Sequence, residues 1–393
     1  MKTQICTLFL CASFLLTGNG CTEDAITHQQ PEAPNKEYQA ALNKVLTFDN
    51  GAATKSNSSL IIKSSSVQTY SYKLKENTQT RSVTDTEIPD SASINIYTFV
   101  FEKDGNEGFA IASGDERISR VYAYTENGQL SDTTYIIGLA YTLSLFPSLY
   151  EEELNNYYAG ENKETKAATT YINVGPNLIT KWGQQDPYYN RCPPRSGCEH
   201  AVVGCGGIAA AQVLAHLNPA VKMNGIDYSI LRAYETIPYA YQDMAAEFCY
   251  RVADGIVTNF GCGNSDSYLK NTADYLRKFG ITLQFYEGNL KINDCINSIA
   301  LKGVTMARGT QKKGKKVGHA WVYDGVQATV YLSGDPNWPY TKTGTWPTFH
   351  CNWGWYGKDN GWYAASTGWE QPNPNTYPYI AANAQIYFLS SLH

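Results

Sequence analysis

The chain has 393 residues, more than one typical domain needs, and a formal net charge of −5. Its basic residues are dispersed along the sequence, which argues against a nucleic-acid partner. Aromatic residues are abundant, with 30 tyrosines and 8 tryptophans, and every tryptophan lies at or after Trp182, so the C-terminal part differs in kind from the first third.

Lys2 precedes an apolar run from Ile5 to Leu16, followed by the small residues Thr17, Gly18 and Gly20 and then Cys21. That run is too short to span a bilayer as a helix, so a secretory signal over residues 1–20 is expected. Small residues before a cysteine resemble a bacterial lipoprotein cleavage site, with Gly18 where the aliphatic residue three before the cysteine usually stands. A lipid on Cys21 would then be the only membrane attachment, and the chain would sit at the cell surface or outer membrane. Ordinary cleavage near Gly20 with release from the cell is the alternative.

Residues 21–66 are polar, with Pro31, Pro34 and a Ser/Asn/Lys-rich stretch, and read as a tether. From Ser93 short strands closed by glycine turns are expected: Ile94 to Phe101, Gly108 to Asp115 and Val121 to Tyr124. Ile136 to Tyr150 carries apolar residues at helical spacing. Together these predict a small α+β domain over 67–158. Residues 159–170 are charged and small, with linker composition. The second domain, 171–393, opens with helices over Cys205–Leu217, Ser267–Phe279 and Asn293–Leu301. It continues with strands at 304–307, 317–323, 328–332, 348–353, 361–364 and 384–389. Helices first and strands second predict an α+β fold with helices packed on one mostly antiparallel sheet.

Three of the ten cysteines precede residue 22; seven remain, an odd number that leaves at least one thiol unpaired in an exported protein. Six structural cysteines and one reactive one is the economical arrangement, with Cys192/Cys198 and Cys249/Cys262 close enough in sequence to pair. A zinc site at Cys198, His200 and Cys205 lacks both a Cys-x-x-Cys pair and a second ligand pair. No metal or cofactor is expected.

The reactive thiol is Cys205, where a glycine-flanked turn feeds an Ala-rich helix. A helix N-terminus favours the thiolate, although a buried cysteine at a helix start is also common. Among six histidines, His28 and His393 lie at the chain ends, His216 sits on the helix of Cys205 more than about 15 Å away, His200 precedes the nucleophile in a loop, and His350 lies two residues before Asn352. His319, entering an apolar strand after Gly318, is the best base. Asn352 would orient its ring, Trp353 would shield that hydrogen bond, and Gln184 would donate to an oxyanion beside the Cys205 amide.

The order Gln184, Cys205, His319, Asn352 resembles the streptopain-like cysteine peptidases of bacteria. Their motifs are matched by Trp182-Gly-Gln-Gln-Asp-Pro-Tyr, by Ala201-Val-Val-Gly-Cys, by Val317-Gly-His-Ala-Trp-Val-Tyr-Asp-Gly and by Asn352-Trp-Gly-Trp-Tyr-Gly. Gly206-Gly207 and Val317 depart from the family pattern. The resemblance implies a papain-like cysteine protease fold preceded by an inhibitory pro-domain, which would make the chain a zymogen. Its partners would be protein or peptide substrates, its own pro-domain and an activating protease, with Lys166–Ala167 the expected bond. An amidase or acyltransferase acting on a non-protein amide, or a non-catalytic adhesin or inhibitor on the same fold, are the alternatives.

Overall fold

The computed structural model describes residues 35–52, 59–74, 89–134, 136–159, 169–218, 220–288, 290–311, 318–334, 336, 339–342, 347–365 and 379–388. The expected signal peptide, Cys21 and the Lys166–Ala167 bond lie outside them.

The first element is a helix, α1 (Lys36–Ala52), in the segment expected to be a polar tether. Ala41 and Val45 are fully buried, with Tyr38, Leu42 and Phe48 packed beside them. That three- and four-residue spacing makes one apolar stripe, hidden in the sequence by the polar residues between. Strands β1 (Ile61–Lys73), β2 (Ser91–Lys103), β3 (Asn106–Ser113) and β4 (Val121–Thr125) follow as an antiparallel meander. β1 also starts inside the expected tether.

The helix expected over Ile136–Tyr150 is two: α2 (Ile137–Ser144) and α3 (Phe146–Ala159). Pro147 explains the break, because its ring and missing N–H are tolerated in a first turn and not in a helix interior.

The second part begins with β5 (Thr169–Val174) and α4 (Cys205–Leu217), then a hairpin of β6 (Lys222–Met223) and β7 (Ile226–Asp227). Next come α5 (Gln242–Gly255), α6 (Leu269–Arg277), β8 (Leu283–Glu287), α7 (Ile292–Ala300), β9 (Thr305–Gln311) and β10 (Gly318–Leu332). The chain closes with β11 (Tyr340–Lys342), β12 (Thr348–Asn352), β13 (Gly361–Ala364) and β14 (Tyr379–Phe388). α5 is a helix the sequence reading passed over, although Ala245, Phe248, Cys249, Val252 and Ala253 bury one face. The two strands expected at 317–323 and 328–332 are one strand with a bulge between Tyr323 and Gly325.

The expected α+β architecture, helices on an antiparallel sheet, is present, but the two domains do not have separate sheets. Among the described residues one sheet runs β1-β2-β3-β4-β13-β12-β10-β9-β14-β8, with β5 and β11 added to β10. The junction is β4 against β13, pairing Thr125 with Gly361 and Tyr124 with Trp362. Gly361 allows this approach, because a Cβ there would lie 2.4 Å from the Tyr124 carbonyl oxygen. Cores are shared too: one cluster holds Ile94, Phe109, Tyr122 and Tyr141 from the first part with Trp321, Tyr323 and Trp353 from the second. A second cluster lies on the other face, between α4, α5, α6 and the residues Ala320 and Val322 of β10.

The disulfide joins Cys198 to Cys262, with Cα atoms 5.6 Å apart, which corrects both expected pairings. Sequence proximity misled: the short bridge between Arg195 and Cys198 turns Cys198 toward the loop of Cys262. Cys192 and Cys249 are left in the helical core. Cys192, Cys205, Cys249, Cys295 and Cys351 are free thiols, so the expectation of six bridged cysteines does not hold.

Candidate active site

Cys205 is the first residue of α4, and the cap before it, Gly204, has φ 83°. An L side chain rarely adopts that conformation, and here its Cβ would also lie 2.6 Å from the Ser265 carbonyl oxygen. The helix behind is almost wholly buried from Gly206 to Ala215. The Ala320 N–H donates to the Cys205 sulfur at 3.3 Å, so Cys205 touches the residue next to His319. Cys205 as a residue keeps some exposure, but its sulfur is enclosed. That burial pushes the thiol above its ordinary value, against the opposing pull of the Ala320 N–H and Arg308. The helix start alone therefore does not yield a thiolate in this state.

His319 is turned away from that sulfur. Side chains alternate across a strand, and along β10 Ala320 and Val322 belong to the core that includes α4, while Trp321 and Tyr323 belong to the other. His319 follows the second set. Its ring stacks on Trp321 at 6.2 Å with an interplanar angle of 12°, and its Nε2–H donates to the Trp353 carbonyl at 3.1 Å. It is 4% exposed, and burial pushes its pKa down to about 4, partly offset by the Trp353 carbonyl. The imidazole is thus neutral at physiological pH. Helix α2 lies directly against it: a Cβ on Gly138 would come 2.6 Å from both His319 Cδ2 and Trp353 Cζ3.

Asn352 is on the face of Cys205, opposite Val322 in the register. Its side chain bonds Thr180, Gln212 and the Gly354 N–H rather than His319. Trp353 is fully buried and donates its indole N–H to the Asp359 carbonyl at 2.8 Å. Gln184 is brought beside Cys205 because its carbonyl accepts from the Val203 N–H at 3.1 Å. Its side chain has no hydrogen-bond partner among the described residues. The structure therefore gathers Cys205, Gln184 and Asn352 on one face and His319 and Trp353 on the other. The remaining described histidines are engaged elsewhere: His350 with the buried Asp324 at 2.6 Å, His216 with the Lys302 carbonyl and His200 with the Cys192 carbonyl.

Three residues escaped the sequence reading. Gln212 is fully buried in α4 and contacts Asn352; a lone amide in the run Ile208–Leu214 was its signal, because buried amides need partners. Gly138 had no signal, since its role depends on which ring faces it. Asp359 is fully buried beside Asp132 of the first domain, and burial, then the neighbouring Asp132 carboxylate, push it up to about 8.

Residues 182–363 match the model of the Peptidase C10 family, and residues 52–152 match the Spi protease inhibitor. No curated protein matches the chain. The first match contains all five expected site residues, and the second contains β1 to β4 and α2, the helix that lies on His319. The chain is a cysteine peptidase zymogen of the Peptidase C10 family.

Proposed function

We propose that the mature enzyme is an exported endopeptidase that cleaves protein substrates through a thioester on Cys205, and that the described conformation is its latent form. The observation that carries this reading is the Ala320 N–H bonded to the Cys205 sulfur: it puts the start of β10, and so His319, within one residue of the nucleophile. Withdrawal of α2 frees His319 to turn to the other face. Its Nε2–H then passes from the Trp353 carbonyl to Asn352 Oδ1 without a change of tautomer, leaving Nδ1 toward the sulfur. The sulfur attacks the peptide carbonyl carbon as Nδ1 takes its proton. The oxyanion lies between the Gln184 amide and the Cys205 N–H. The imidazolium returns the proton to the leaving amine as the C–N bond breaks. Water, deprotonated by His319, then hydrolyses the thioester and restores the thiol.

The Cys198–Cys262 disulfide supports export, because such bridges persist in oxidising compartments. Removal of residues 1–20, lipid on Cys21 and activation by cleavage within 159–170 are parts of the same proposal, resting on the composition of those segments.

The test uses the full chain. The native protein should shorten, turn over casein and bind an epoxysuccinyl thiol probe at Cys205. Cys205→Ala should stay unprocessed and inert, and His319→Ala should be nearly as impaired because the pair acts as a unit. Casein turnover by folded Cys205→Ala protein would overturn the assignment. Turnover of small amides alone would favour the amidase alternative.

A further inference from the structure

The buried amide of Gln212, to which the reaction steps above give no part, stands at the centre of a network that includes Asn352. Gln212 Oε1 accepts from the Thr180 hydroxyl at 3.0 Å, from the Trp182 N–H at 3.2 Å and from Asn352 Nδ2 at 3.3 Å. Gln212 Nε2 donates to Asn352 Oδ1 at 3.4 Å. Asn352 Nδ2 also donates to the Thr180 carbonyl at 2.9 Å, and Asn352 Oδ1 accepts from the Gly354 N–H at 3.1 Å. Gln212 is 0%, Thr180 3% and Asn352 3% exposed, so water does not compete for these groups.

Three members of the network have fixed polarity. The N–H groups of Trp182 and Gly354 can only donate, and the Thr180 carbonyl can only accept. A flipped Gln212 would set its NH2 against the Trp182 N–H. A flipped Asn352 would set its carbonyl against that of Thr180 and its NH2 against the Gly354 N–H. Each inversion would leave buried donors or acceptors facing their own kind, at the cost of desolvated, unmade bonds. Both amides are therefore held in one orientation. In it, both N–H bonds of Asn352 Nδ2 are engaged, with Thr180 and Gln212, so Nδ2 has no proton to offer the His319 ring. Oδ1, which accepts from the Gly354 N–H and from Gln212 Nε2 at 3.4 Å, takes the His319 N–H in exchange for that long Gln212 bond.

We infer that Gln212 is a positioning residue that makes Asn352 an acceptor, and so selects the His319 tautomer the reaction needs. This rests on the proposed role of Asn352 as the orienter of His319. An Asn352 that presented Oδ1 would accept the Nε2–H and leave Nδ1 free to act as base. An Asn352 that presented its NH2 would demand the opposite tautomer, with a proton already on the nitrogen facing the sulfur. A base held in the wrong tautomer loses up to about 10⁴ in kcat in a related triad. Gln212 also joins three parts of the site: it lies on the helix of Cys205, it holds the N–H of Trp182 two residues before Gln184, and it touches Asn352.

The test is a double-mutant cycle on matured enzyme made from the full chain, with Gln212→Met, Asn352→Ala and the pair. Gln212→Met should lower kcat by about tenfold or more while KM stays within about twofold, and the pair should be no slower than Asn352→Ala alone. Independent losses that multiply in the pair, a change confined to KM, or native kcat in Gln212→Met beside a slow Asn352→Ala would overturn the inference. Native kcat in Asn352→Ala would instead overturn the role given to Asn352. Where Gln212→Met does not fold, Gln212→Asn keeps a polar side chain but withdraws the amide by one methylene. It is read in the same cycle with the same outcomes.

Discussion

Gly138 is the point at which the first domain rests on His319, and a single methyl group there should weaken latency. A Cβ at this position would meet His319 Cδ2 and Trp353 Cζ3 at 2.6 Å each and Trp353 Cε3 at 2.7 Å. None of these atoms is the end of a flexible chain. Trp353 is fully buried, tied by its indole to Asp359 and by its own N–H to Asn360 Oδ1. With Trp353 held in this way, the contact is relieved by moving α2. Overpacking of this kind costs about 1–3 kcal/mol. Alanine returns up to about 1 kcal/mol through its better helix propensity, so Gly138→Ala should be mild and Gly138→Val should show nearly the full cost. At 1.4 kcal/mol per factor of ten, Gly138→Val should raise the population of the undocked state roughly fivefold to a hundredfold. The assay is the alkylation rate of Cys205 in uncleaved precursor, mapped by mass spectrometry to separate it from the buried thiols at Cys192, Cys249, Cys295 and Cys351. Precursor shortening, followed in parallel, should accelerate in the same order. A folded Gly138→Val precursor whose Cys205 reacts at the native rate would refute the reasoning.

Latency should also depend on pH through Asp359, which is held at about 8 in the docked state by burial and by the carboxylate of Asp132; Lys358, 3.1 Å from Asp132, is the nearby cation. An undocked carboxyl has an ordinary value near 4, so the docked state binds the extra proton. Docking is strongest below about pH 4 and weakens by up to about 1.4 kcal/mol per unit as pH rises toward 8. Hydrogen exchange of residues 127–144 in Cys205→Ala precursor, corrected for intrinsic rates, should quicken with pH across that window, and Asp359→Asn should flatten the trend; an unchanged slope in that variant would count against it. Replacing the disulfide with Cys198→Ser and Cys262→Ser should cost roughly 2–4 kcal/mol, read as a lower Tm, and unreduced peptide mapping should find Cys198 linked to Cys262. A Cys192–Cys198 peptide would contradict the fold of that loop.

Much was legible in the residues alone. The extent of α4 and of β13 follows from local pattern, because a glycine turn, an apolar Ala-rich run and a proline stop act over a few residues. The order of Gln184, Cys205, His319 and Asn352 was legible for the same reason: each sits in a short motif whose chemistry is local. Helix α1 was missed because its apolar stripe of Tyr38, Ala41, Leu42, Val45 and Phe48 is diluted by polar neighbours, and the helix becomes evident only when β2 to β4 supply the surface it covers.

What the tertiary structure decided are the relations between distant segments. Composition marks a linker between two domains, yet only the pairing of β4 with β13 shows that they share one sheet. Cysteine spacing pointed to Cys192–Cys198 and Cys249–Cys262, while the fold brought Cys198 to Cys262 across 64 residues. The order of site residues singled out Cys205 and His319 as candidates, but not that His319 lies on the far face of β10 with Gly138 against it. That outcome depends on which side of a strand each residue takes and on which helix occupies the space beside it. Both are set by packing between elements far apart in the chain, whereas the spacing of residues along it carries only what neighbours can determine.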